Sequence, residues 1–71
     1  MIPLTMASAG ETYTVVRISG RDEVRQHLGE LGFVPGQEVG VVTEMGGNVI
    51  LSLKQSRIAL DKTMTNRIMV E

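Results

Sequence analysis

The sequence predicts a mainly β fold, a small and partly open barrel of about five short strands with one α-helix inserted after the first of them. Three observations lead there. Short runs rich in Val, Ile and Thr recur along the chain, a single stretch carries apolar residues at helical spacing, and glycine dipeptides suited to tight turns separate the runs. Short strands joined in this way tend to close on one another, because closure protects edges that a flat sheet exposes. At 71 residues the chain is expected to form one domain, residues 1–71, with little room for a deep pocket.

Taken in order, "IPLTM" near the start is expected to add a short edge strand, with Pro3 confined to the edge because it donates no hydrogen bond. A turn at Ala9-Gly10-Glu11 then leads into a strand over Thr12–Ser19, "TYTVVRIS", whose β-branched side chains suit a pleated surface. In "GRDEVRQHLGELG", Val24, Leu28 and Leu31 recur at i, i+4 and i+7 and so share one side of a helix. Asp22 and Glu23 fall in its first turn, where negative charge complements the helix dipole, and Gly32 stands at the position of a left-handed cap. Gly29 inside the helix costs about 1 kcal/mol relative to Ala, which predicts tight packing or close backbone approach at that point.

Pro35-Gly36 suits the centre of a type II turn, whose second central residue needs positive φ. Two strands follow, "EVGVVTEM" and "NVILSLK", joined by Gly46-Gly47 as a two-residue hairpin connection. Val49, Leu51 and Leu53 alternate along the second and should face the core. Arg57–Leu60 reads as another strand, Asp61 as the cap of a single helical turn, and "RIMVE" as the closing strand.

Composition excludes several classes of function. The chain has no cysteine, hence no disulfide and no thiolate metal ligand, which suits a cytoplasmic setting. No apolar run approaches the ~20 residues that span a bilayer, and the first residues do not resemble a secretory signal, so any membrane link would come through a partner. Seven basic residues face eight acidic ones, with no basic excess in either half. That balance argues against nucleic acid, whose phosphates call for concentrated positive charge. Only Tyr13 and Phe33 are aromatic, too few for the ring-lined groove that binds proline-rich peptides.

No catalytic site emerges, and no enzyme is expected. His27 is the single histidine and would have to serve every nucleophile–base scheme, yet it sits beside the Leu28–Leu31 stripe as a boundary residue. Asp22, Glu23, His27 and Glu30 lie close along the helix and read first as a solvated face; the alternative is a weak divalent site shared across a dimer. Met6, Met45, Met64 and Met69 have no regular spacing and are expected to fill gaps in or around the core.

The order "VVRISG", a charged helix ending "HLGELGFVPGQEVGVV", a hairpin, and then "RIALDKTMTNRIMVE" resembles the FeoA family of bacterial ferrous iron transport proteins. Leu28, Leu31, Gly32, Pro35, Gly36 and Val39 carry the most specific part, an L-x-x-L-G-x-x-P-G-x-x-V pattern, and "ALDK…RIMVE" adds an A-L-x-x…I-x-V ending. In the hairpin region "MGGNVI" departs from the P-x-G-D-P sequence of many relatives. The resemblance implies an SH3-like barrel acting in the cytoplasm as an accessory protein of FeoB, a membrane ferrous iron transporter with a GTP-binding domain. It implies no cofactor. Candidate partner contacts are Arg21, Arg25 and His27 on the helix with Phe33 and Val34 at the corner that follows, although Phe33, as a large apolar residue, reads first as part of the core. The same module also occurs as a C-terminal domain of metal-dependent repressors, so the alternative expectation is a metal-responsive module that binds Fe²⁺ or Zn²⁺ weakly through a carboxylate and His27.

Overall fold

A computed structural model describes all 71 residues. It contains β1 (Ile2–Pro3), β2 (Thr12–Ile18), α1 (Asp22–Glu30), β3 (Glu38–Met45), β4 (Asn48–Leu53), β5 (Ser56–Asp61), α2 (Lys62–Thr65) and β6 (Ile68–Val70). The strands form one antiparallel sheet in the order β1-β6-β2-β3-β4-β5. β2 lies at its centre, bonded to β3 on one side and β6 on the other. Register shifts between Val15 and Arg17 and between Val41 and Thr43 mark bulges, which bend strands and increase their twist. The bent sheet wraps a single apolar cluster to which every element except β1 and α2 contributes buried hydrophobic side chains.

Alternation puts the core together as the sequence anticipates. Val49, Leu51 and Leu53 are all buried, while Asn48, Ile50 and Ser52 between them are not. Val15, Val39, Val41, Leu60, Ile68 and Val70 complete the wall, and Leu28 and Phe33 plug it from the helix side. At the far end Asp61 accepts a hydrogen bond from the Met64 amide (2.9 Å), capping α2, and the buried Thr65 hydroxyl donates back to the Asp61 carbonyl (3.1 Å). No helix is long and apolar enough to cross a membrane.

Several expectations need correction. The edge strand predicted in "IPLTM" is only two residues long, giving six strands in place of about five, because Leu4–Met6 turns into a 3₁₀ helix that delivers Leu4 to the core. Lys54 belongs to a turn, with φ of +48°, and β5 runs one residue further at each end than Arg57–Leu60. Gly29 is not closely packed: beyond its chain neighbours and the backbone of its own helix, no atom lies within 4 Å of where its Cβ would sit. Met6 and Met45 are 70% and 64% exposed, and of the four only Met64 packs against the core, Met69 being half-buried elsewhere.

Candidate functional site

The segment from Leu28 to Val39 builds a corner between α1 and β3. α1 ends because Gly32 takes φ of +109°, a conformation that strains any residue with a Cβ. Two hydrogen bonds then close the helix: the Phe33 amide donates to the Leu28 carbonyl (3.0 Å) and the Gly32 amide to the Gly29 carbonyl (3.0 Å). This is a Schellman motif, which satisfies carbonyls that a helix end leaves open. Its usual hydrophobic contact is present as well, since Leu28 and Phe33 are both fully buried in the same cluster.

Immediately after, Val34–Gln37 forms the tight turn expected of Pro35-Gly36, closed by the Gln37 amide donating to the Val34 carbonyl (3.0 Å), with Gly36 at φ of +90°. A reciprocal pair of bonds ties this turn to the middle of β2. The Gly36 amide donates to the Val15 carbonyl (2.8 Å), and the Val15 amide donates to the Gln37 carbonyl (2.9 Å). Val39 then enters the core opposite Tyr13. All six patterned residues thus serve the geometry of the corner. Leu28 and Val39 are buried, Leu31 packs half-buried against the core, and Gly32, Pro35 and Gly36 shape the backbone.

What the corner presents to solvent is a tip and a groove. Val34 is 44% exposed beside the exposed Pro35. Arg17, Ile18, Arg25, Gly29, Val34 and Pro35 line a shallow groove of about 320 Å³, with Phe33 beneath it. Arg25 also pairs with Asp22 one helical turn back, an exposed contact of little energetic weight, whereas Arg17 has no ionic partner.

The expected contact residues therefore divide. Val34 and Arg25 share the groove, and Arg21 stands exposed at the N-cap of α1. His27 is exposed but points about 200° around the helix from Arg25, away from the groove. Phe33 must be corrected: at 0% exposure its side chain touches no partner and instead supports Val34 from below. Arg17 and Ile18 join the groove without any local sequence signal, because only the fold brings β2 beside the corner. Asp22, Glu23, His27 and Glu30 do not converge into a group that could hold a metal ion.

Comparison with known proteins agrees with this architecture. The model of the FeoA domain family matches residues 2–71. A protein of Methanocaldococcus jannaschii provisionally named Fe(2+) transport protein A is 35% identical over 71 residues, covering 100% of this chain and 87% of that protein. Among solved structures, an iron uptake regulatory protein (FeoA) superposes with a TM-score of 0.89 at 34% identity, over 99% of this chain and 93% of the other. A zinc complex of Stenotrophomonas maltophilia FeoA superposes with a TM-score of 0.88 at 25% identity, over 100% and 91%. It is described as a prokaryotic SH3 domain protein and as a candidate bacterial ferrous iron transport activating factor.

Proposed function

The chain belongs to the FeoA family, and from that premise we propose that it is an accessory protein of ferrous iron transport which docks on the cytoplasmic face of a FeoB-type transporter. One observation carries the reading. The residues that define the family pattern build no pocket of reactive groups; they shape an exposed corner, with Val34 and Pro35 at its tip and Arg25 beside them. A rigid apolar tip flanked by a cation is the chemistry of a protein-binding surface, where a few anchors supply most of the affinity. Binding then biases the transporter between its states by the difference in affinity for each.

The test is a calorimetric titration of this protein into detergent-solubilised transporter from the same organism. Binding is expected, and Val34→Asp should weaken it at least about tenfold by placing a charge at the anchor while leaving the fold intact. Absence of binding to the whole transporter in every nucleotide state would sink the proposal.

A second reading is a weak Fe²⁺ or Zn²⁺ site at His27, favoured by the zinc bound to the Stenotrophomonas protein. Titration of either ion followed by NMR at the imidazole distinguishes it, since the docking reading needs no response there.

A further inference from the structure

The two ends of the sheet are protected very differently. β1 ends one side with only two residues, one of them Pro3, which cannot donate to an incoming strand. β5 ends the other side with six residues in unbroken register against β4, from Leu53–Ser56 to Asn48–Asp61. It carries no proline and no bulge, and the only charges along it are the oppositely charged Arg57 and Asp61.

Because Lys54-Gln55 is a two-residue connection, Leu53 and Ser56 form the hydrogen-bonded pair beside it, and alternation makes Ile58 and Leu60 the next residues bonded to β4. The main-chain groups of Arg57 and Ala59 therefore face outward, and no hydrogen bond reaches them from elsewhere in the chain. Arg57, Ala59 and Asp61 are also exposed and project from the outer face of the strand.

From this edge we propose that the protein pairs with a second copy of itself, β5 against β5 in antiparallel register, with Ala59 on the two-fold axis. The register is self-complementary. It sets Arg57 of each copy opposite Asp61 of the other, while small alanines meet at the centre. Two main-chain bonds form at the Ala59 pair, and on each flank the Asp61 amide reaches the Arg57 carbonyl across the axis. The Asp61 carbonyl is already engaged at the start of α2, and Asp61 Oδ1 caps it, leaving the second carboxylate oxygen for arginine. Parallel pairing in register would instead oppose arginine to arginine. A single strand pair buries less than a standard interface, so association is weak and reversible.

Sedimentation equilibrium up to about 1 mM, together with isotope-filtered NOE spectra of mixed labelled and unlabelled protein, tests the proposal at concentrations suited to so small an interface. Intermolecular NOEs centred on Ala59 are expected. Ala59→Pro should lower the association constant about tenfold or more, since it removes the central outward donor yet is tolerated on an edge. The sharper test uses Arg57→Asp and Asp61→Lys. Each alone opposes like charges and should remain monomeric, whereas an equimolar mixture restores both ion pairs and should associate. A monomer at every concentration, NOEs away from β5, or a mixture that fails to associate while both variants keep native spectra, overturns the proposal. The first of these would leave the edge to a strand from a different protein.

Discussion

The corner between α1 and β3 and the hairpin between β4 and β5 both reverse the chain, by opposite means. The corner uses two glycines at positive φ, a proline, a buried phenylalanine and a pair of bonds to β2. The hairpin uses neither glycine nor proline; Lys54 itself takes the positive φ, and a regular ladder does the rest. At the corner special residues hold the backbone against a helix end, whereas the β4–β5 hairpin manages with ordinary ones because its strands align each other, unlike the β3–β4 hairpin, which turns through Gly46 and Gly47 at positive φ. The corner is the part whose shape is individually specified.

Substitutions can break that contrast, beginning with the core. Phe33→Ala should cost about 3–5 kcal/mol, a large share of the stability of so small a domain, and urea unfolding should show it unfolded or nearly so in water. Gly32→Ala should cost about 1–2 kcal/mol from the strained φ, with its new Cβ 3.3 Å from Leu53 Cδ1, and lower the melting temperature by several degrees. Lys54→Gly should have the opposite sign, stabilising by at most about 1 kcal/mol, because strain is relieved at a turn that lacked glycine while the unfolded chain gains freedom. If Lys54→Gly destabilises as much as Gly32→Ala, the two reversals are not specified by different means.

The same contrast explains what can be read from the sequence. Gly32 and Pro35-Gly36 name their conformations directly, and the alternation of Val49, Leu51 and Leu53 names a buried face. Lys54-Gln55 is hidden because neither residue favours a turn; the pairing of the flanking strands imposes one. Gly29 misleads in the other direction, since its rule concerns helix propensity and says nothing of what packs outside. Of the candidate site, Val34 and Arg25 are legible as exposed groups at the corner and Arg21 as an exposed group at the far end of α1, while Phe33 reads first as core and second as a partner contact, and the Schellman contact that buries it decides for the core. Arg17 and Ile18 lie more than ten residues before the turn, and only the bonds between Val15 and the turn reveal that they belong to the same groove.

Those reciprocal bonds between Val15 and Gly36-Gln37 have a dynamic corollary. An ordinary surface loop exchanges its amide protons through small local openings, but the amides of Val15 and Gly36 are released only when the turn leaves the central strand. Both should therefore exchange as slowly as the strand interior. A partner would meet a surface already frozen in shape, with no ordering entropy left to spend on recognition.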